Sequence, residues 1–82
     1  MKLTVEIYLP AALQCYDVKI PADLQLADVT TLVAKAFSQI AKGLYIADDS
    51  SILCERESGK ILNINMTPWE LGLRNGFKLM LI

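Results

Sequence analysis

Hydrophobic and polar residues alternate in two runs near the start of the chain, over residues 2–8 and 15–20. An alternation with a period of two is typical of strands that bury one face, and a proline follows each run. The pattern therefore predicts a β-hairpin. The residues on the apolar face of the two runs are Leu3, Val5, Ile7, Tyr16, Val18 and Ile20.

The hydrophobic period changes to three and four residues from Leu26 onward. This spacing predicts an amphipathic helix that ends before Gly43, a residue suited to the left-handed conformation just past a helix. Asp23 is the best local candidate for the N-cap. A helix with one apolar stripe must lie on a sheet, so we expect two layers. The stripe consists of Leu26, Val29, Leu32, Val33, Ala36, Phe37 and Ile40.

The second half of the chain contains shorter signals. Residues 52–56 and 60–64 predict two short strands joined by a turn. Thr67-Pro68-Trp69-Glu70 has the form of a capping box, in which the Thr and Glu side chains each accept a hydrogen bond from the other residue's N–H. Asn75-Gly76 then predicts a tight turn, and residues 77–82 alternate as a final strand.

The order of these elements is β-β-α-β-β-short helix-β, in one domain over residues 1–82. It predicts an α+β fold, the ubiquitin-like β-grasp, with a mixed sheet of about four to five strands packed on one long helix. In this fold the first and last strands are central and parallel, which explains their high apolar content. The predicted core is Leu3, Val5, Ile7, Val18, Val29, Val33, Phe37, Leu79 and Leu81.

Composition and charge argue against several kinds of function. The net charge is −1 with both signs dispersed along the chain, so we expect no binding of nucleic acid. No apolar run approaches the roughly 18 residues that span a bilayer, and the strand-like start is unlike a secretion signal. We therefore expect a cytoplasmic protein without direct membrane insertion.

The chain offers little for catalysis or metal binding. It has no histidine, the commonest general base and metal ligand. The segment Asp48-Asp49-Ser50-Ser51 lacks the spacing of a calcium loop, so we interpret it as a solvated loop. The predicted strand order separates Cys15 from Cys54 by about 14 Å, too far for a disulfide. We expect neither an enzyme nor a bound cofactor or metal.

What the sequence offers instead is one exposed sheet face. Apolar side chains on such a face mark a binding site more often than an accident, although scattered exposed apolar residues are also normal. Leu53 belongs to this group only if its strand has the expected phase, and Trp69 either anchors a partner or packs beneath its own turn. The predicted partner-binding residues are Tyr8, Leu53, Met80, Ile82 and Leu13.

Two segments resemble those of a known family. YDVKIPADLQLADV leads into the helix and LGLRNGFKLMLI forms the ending. Both are similar to the YukD/EsaB ubiquitin-like proteins of bacterial type VII (WXG100) secretion systems, and the resemblance covers nearly the whole chain. It implies a cytoplasmic, non-conjugated accessory or regulatory component, recruited to the inner face of the membrane by a membrane or ATPase component of the system. Whether the chain also forms a weak homodimer is left open by the sequence.

The sequence leaves two alternatives. One is a ubiquitin-type modifier or sulfur carrier, which we disfavour because the sequence ends at Ile82 without a Gly-Gly carboxyl terminus. The other is a ubiquitin-like domain cut from a larger secretion membrane protein, because in actinobacterial relatives a similar domain is fused to a membrane component. Neighbouring genes for WXG100 proteins and an FtsK-type ATPase would favour the secretion role.

Overall fold

The computed structural model describes residues 1–48 and 50–82. Its strands and its α-helix are β1 (Lys2–Leu9), β2 (Gln14–Pro21), α1 (Leu26–Ile40), β3 (Leu53–Glu55) and β4 (Lys78–Leu81). The strands form one sheet in the order β2-β1-β4-β3. β1 pairs antiparallel with β2 and parallel with β4, and β3 pairs antiparallel with β4. The first and last strands are therefore central and parallel, as predicted.

Alternation along β1 and β4 decides which side chains form the core. Their odd-numbered residues point at α1 and are almost completely buried, among them Ile7 and Leu79. Burying one such side chain contributes about 1.5–3 kcal/mol relative to leaving it exposed. Of the predicted core residues, Val18 alone is only half-buried, because it lies on β2 at the edge of the sheet.

The bounds of α1 match the predicted helix, but its buried stripe is displaced around the helix axis. Leu32, Ala36 and Ile40, which we predicted to be buried, are exposed. Thr30 lies in the core instead, where its hydroxyl donates to the carbonyl oxygen of Leu26 at 2.8 Å and so leaves no unpaired polar group. The residues that α1 buries are Leu26, Val29, Thr30, Val33, Ala34 and Phe37.

A segment distant in sequence, rather than a local cap, accepts hydrogen bonds from the first N–H groups of α1. The N-cap is Gln25 and makes no side-chain cap hydrogen bond, so the prediction of Asp23 is wrong. The first two N–H groups of α1 donate to the carbonyl oxygens of Met66 and Ile64, at 2.8 and 3.0 Å. These donors need no capping side chain once they are paired. Beyond the other end, Gly43 has the predicted left-handed conformation, with φ 88°.

The segment between β3 and β4 is mostly irregular. The strand predicted over 60–64 is reduced to a single bridge between Cys54 and Ile61. The capping box is present: the N–H of Glu70 donates to Thr67 Oγ1 at 3.1 Å, and the N–H of Thr67 donates to Glu70 Oε1 at 2.9 Å. It opens hydrogen-bonded turns rather than a short helix.

Candidate protein-binding face

The candidate site is the outer face of the sheet, which is the face opposite α1. The strand register aligns one row of side chains across this face, and we call it the outer row. Tyr8 and Met80 are half-buried at its centre, and Ile61 is 60% exposed at one end. The outer row consists of Cys15, Tyr8, Met80, Cys54 and Ile61.

The structure brings most of the predicted site residues to one side of the sheet. Tyr8 lies opposite Met80 in the parallel pair, as the alternation predicts. Ile82 follows two residues later on the same side and is 52% exposed. The hairpin loop after β1 lies at this end of the sheet, and its Leu13 is 79% exposed. The face therefore continues from the outer row towards the hairpin loop.

Leu53 does not belong to this face, so this part of the prediction is wrong. It lies opposite Leu81 in the register and is 2% exposed in the core. Its neighbour Cys54 takes the outward position opposite Met80. The prediction failed because β3 has only three residues, too few for alternation to reveal its phase. Burial raises the pKa of the Cys54 thiol, which therefore stays protonated at neutral pH.

Arg56 also contributes to this face, although the sequence did not predict it. Its guanidinium carbon lies 4.6 Å from the centroid of the Tyr8 ring, a cation–π arrangement. Its Nη1 lies 3.6 Å from Glu6 Oε2 and donates to Cys15 Sγ at 3.3 Å. Glu6 Oε2 is buried and accepts no hydrogen bond from the described residues, so the ion pair with Arg56 is what compensates its charge. The face therefore carries an ion pair of Arg56 and Glu6 beside the Tyr8 ring.

Trp69 lies apart from the outer row. It is about half-exposed, and the guanidinium carbon of Arg74 lies 3.6 Å from the centroid of its ring. The residue that the turn buries is Pro68, so the prediction that Trp69 packs beneath its turn is wrong. Because Arg74 already covers one side of the ring, only the rest of Trp69 is free for a partner.

A groove of about 840 Å³ opens between α1 and residues 61–64. Ala27, Thr31 and Ala34 line it on the helix side, and Ile61 and Ile64 are among the residues opposite. The groove lies on the side of α1 that faces β3. Its lining is mostly small or apolar, and Lys35 and Asp48 are its charged members.

The described residues provide no metal site. No group of three or more His, Cys, Asp or Glu side chains comes together within residues 1–48 and 50–82. In the loop predicted to be solvated, the hydroxyl and the N–H of Ser50 donate to Asp48 Oδ1 at 2.6 and 2.8 Å. These hydrogen bonds hold the pKa of Asp48 below its usual value. Asp49 of the same loop lies outside the described residues.

Comparison with solved structures decides the fold. The ubiquitin-like domain of EccD5 from Mycobacterium xenopi superposes with a TM-score of 0.83 at 19% identity, over 100% of this chain and 93% of that one. The chain has the ubiquitin-like β-grasp fold. The ubiquitin-like domain of the Mycobacterium tuberculosis type VII secretion system protein EccD1 gives 0.77 at 13% identity, over 100% and 98%. Caldiarchaeum subterraneum ubiquitin gives 0.69 at 17%, over 100% and 92%.

Sequence comparison adds nothing to this, since no family model and no curated protein matches the chain. At the identities above, structural likeness establishes the fold and not the function. The structure is thus similar to the ubiquitin-like domains of type VII secretion proteins and also to ubiquitin. None of the helices in the described part of the chain has the length and apolar character needed to cross a membrane.

Proposed function

We propose that this chain is a cytoplasmic ubiquitin-like accessory or regulatory component of a bacterial type VII secretion system, of the YukD/EsaB kind. It acts by binding a membrane or ATPase component of that system, and it neither catalyses a reaction nor becomes conjugated. Similarity to the two EccD domains, with TM-scores of 0.83 and 0.77, supports this proposal. So does the resemblance of residues 16–29 and 71–82 to the family.

The observation that carries the proposal is the composition of the outer face. Tyr8 offers a large contact area with a polar tip, and Met80 adapts to uneven surfaces. Arg56 lies over the Tyr8 ring, and its guanidinium has five N–H donors, so it can bind a partner's carboxylate while it stays beside Glu6. Tyr, Met and Arg are enriched at protein interfaces. A partner surface that combines apolar side chains with a carboxylate would complement this face.

Leu13 supports the same assignment. It adopts a left-handed conformation, with φ 53°, and is 79% exposed. Neither its backbone nor its burial favours a leucine at this position, because left-handed residues with a Cβ are strained and exposed leucine gains little from folding. Its exposed apolar side chain is therefore available for contact with a partner.

Ile82 is held in place by backbone hydrogen bonds. Its N–H and carbonyl groups each form a 2.9 Å hydrogen bond with Ile52, so residue 82 continues the pairing of β4 with the β3 side of the sheet. The proposal excludes covalent attachment of this chain to other proteins. We expect no higher-mass adduct after incubation of the protein with ATP and lysate from the same cells. Any such covalent adduct of this protein would overturn this part of the proposal.

Met80→Glu tests the docking face. It places a charge in the outer row, and we expect it to weaken partner binding by at least about 2 kcal/mol. Folding should change by no more than about 1 kcal/mol, since Met80 is outside the core. The matched control is Lys35→Glu, a charge change on the exposed surface of α1. Pull-down of the secretion membrane components and a substrate-export assay measure both variants.

The pair of variants also distinguishes the alternative surface. If Met80→Glu folds, binds and exports normally while Lys35→Glu abolishes binding, the helix is the docking surface and the sheet face is not. If both variants bind and export normally, neither surface docks onto the secretion system.

The near-complete mutual coverage with the EccD5 domain favours a second candidate. In it, the chain is the ubiquitin-like domain of a larger secretion protein. The two candidates differ in the length of the open reading frame and share the docking test. Neighbouring genes for WXG100 proteins and an FtsK-type ATPase would support either one over a role unrelated to secretion.

A further inference from the structure

β2 leaves one edge of the sheet free. At the other edge, β3 is bridged by Ile61, whereas none of the described residues pairs with the outer side of β2. β2 is eight residues long. Proteins usually shorten, block or pair an edge strand of this length, because its free backbone groups attract other strands.

The hairpin register determines which backbone groups of β2 face this free edge. The N–H of Ala22 donates to the carbonyl oxygen of Met1 at 3.0 Å, in the same register as the β1–β2 pairs. Inward and outward directions alternate along an antiparallel strand, so the even-numbered residues of β2 bond to β1. The residues whose backbone groups point to the free edge are Cys15, Asp17, Lys19 and Pro21.

The two charged residues of β2 lack suitable neighbours within their own sheet. Asp17 and Lys19 are exposed, and neither forms an ion pair with a described residue. Asp17 lies directly opposite Glu6, a like charge, and Lys19 lies opposite Thr4. Like charges opposite each other destabilise a sheet. A cation on a strand added at the free edge of β2 would therefore give Asp17 a favourable neighbour.

The helix flank beside this edge is apolar. At about 100° per residue, Leu32 and Ile40 lie on the flank of α1 opposite the one that lines the groove. The groove is on the β3 side of α1, so the flank that carries Leu32 and Ile40 lies toward β2. Contact between α1 and β2 agrees with this, since the ring centroids of Phe37 and Tyr16 are 5.0 Å apart. Leu32 and Ile40 are exposed, and Val18 is half-buried. The free edge thus runs beside an apolar strip that an added strand would cover.

We propose that β2 pairs with β2 of a second copy of this chain, antiparallel and about a two-fold axis at Val18. This register places Asp17 opposite Lys19 of the second copy, and the symmetry repeats the ion pair. A shift by two residues in either direction places Asp17 opposite Asp17 or Lys19 opposite Lys19. The pairing forms about six backbone hydrogen bonds, with Pro21 contributing only its carbonyl.

The resulting dimer has one sheet that continues through both copies, with both outer faces on the same side. This inference goes beyond the proposed function and does not depend on it. Charge complementarity within β2 is what selects a second copy as the occupant of the edge. An extended segment of another protein would gain the backbone bonds but would not by itself require both Asp17 and Lys19.

Charge reversal tests the register. Asp17→Lys and Lys19→Asp each place like charges opposite each other at two symmetric positions, and each should raise the dimer Kd about tenfold or more. The double variant restores opposite charges and should return the Kd to within about threefold of the original. Lys35→Glu, a reversal away from β2, should leave the Kd unchanged. Sedimentation equilibrium measures the Kd, and thermal melting shows that each variant is folded.

Three results would overturn the proposal. They are a monomer at millimolar concentration, single reversals that leave the Kd unchanged, and a double variant that stays as weak as the single ones. Protection of the edge by an added protein, with the chain alone monomeric, would assign the edge to another partner instead.

Cross-linking locates the axis independently of charge. Val18 faces Val18 of the second copy as a non-hydrogen-bonded pair, with Cα atoms about 4.5 Å apart and within reach of a disulfide. Val18→Cys in a Cys15→Ser background should form a covalent dimer in a glutathione buffer. The unaltered chain should not, because its Cys15 lies opposite Pro21. Covalent dimers of the unaltered chain through Cys15, without any from the Val18→Cys variant, would refute this register.

Discussion

The two faces of the sheet are built from the same strands but differ in chemistry. On the inner face, Val5 and Leu79 are completely buried beneath α1. On the outer face, Tyr8 and Met80 stay half-buried and Arg56 lies across Tyr8. Because consecutive side chains of a strand point in opposite directions, one face can hold the core while the other is free to meet a partner. In the proposed function, stability and recognition therefore depend on alternate residues.

The largest loss of stability is expected from a substitution on the inner face. Leu79→Ala should lower the free energy of unfolding by about 2–5 kcal/mol, because it leaves a cavity beneath α1. That is a large part of the stability of a domain of this size. Lys78→Ala, at the exposed neighbouring position, should change it by no more than about 0.5 kcal/mol. Urea denaturation measures both, and equal effects would show that the faces are assigned wrongly.

The two cysteines of the outer row differ in solvent exposure. Cys15 is exposed, whereas Cys54 is 1% exposed although it belongs to the same outer row. Cys54 should react with a thiol reagent at least about 100-fold more slowly than Cys15 does. This ratio corresponds to a free energy of local opening of about 2.7 kcal/mol. The raised pKa of Cys54 acts in the same direction. Labelling kinetics of the single variants Cys15→Ser and Cys54→Ala give the two rates, and similar rates would place Cys54 at the surface.

The cation–π contact between Arg56 and Tyr8 should contribute less to the free energy of unfolding than the burial of Leu79 does. A double-mutant cycle of Arg56→Ala and Tyr8→Leu should give a coupling of about 0.5–1 kcal/mol. Arg74→Ala provides the control, because its guanidinium stacks on Trp69 instead and should show no coupling with Tyr8. A coupling of zero for Arg56 would mean that its side chain does not stay on the outer face in solution.

Leu13 should show the smallest effect on stability. Leu13→Gly removes the strain of a left-handed leucine but adds backbone freedom to the unfolded chain, so unfolding should change by only about 0.5 kcal/mol. If Leu13 contacts the partner, the same variant should weaken the pull-down. A large loss of stability in thermal unfolding would show instead that Leu13 serves the fold.

Features that depend on neighbours in sequence could be predicted. The bounds of α1, the left-handed Gly43 and the paired hydrogen bonds of Thr67 and Glu70 each involve only a few consecutive residues. The parallel centre of the sheet also followed, because the predicted order of elements is that of the β-grasp, in which the first and last strands are central. These signals sufficed for the fold and for the positions of Tyr8 and Met80.

The errors arise where distant residues decide the structure. The side on which Leu53 lies depends on its pairing with Leu81, and three residues give too little alternation to reveal it. Asp23 is not needed as a cap because the carbonyl oxygen of Met66 takes a helix donor. Arg56 reaches across the neighbouring strands to Cys15, which requires knowledge of the whole sheet order.

The pairing of β1 with β4 also affects how the protein is made. Glu6 and Lys78 lie side by side in the sheet but are about seventy residues apart along the chain. During translation β1 leaves the ribosome early, and its central partner is among the last segments to emerge. Until then the apolar side of the hairpin and of α1 lacks half of its cover. The nascent chain must therefore stay unassembled, and exposed to chaperones, almost until synthesis of this domain is complete.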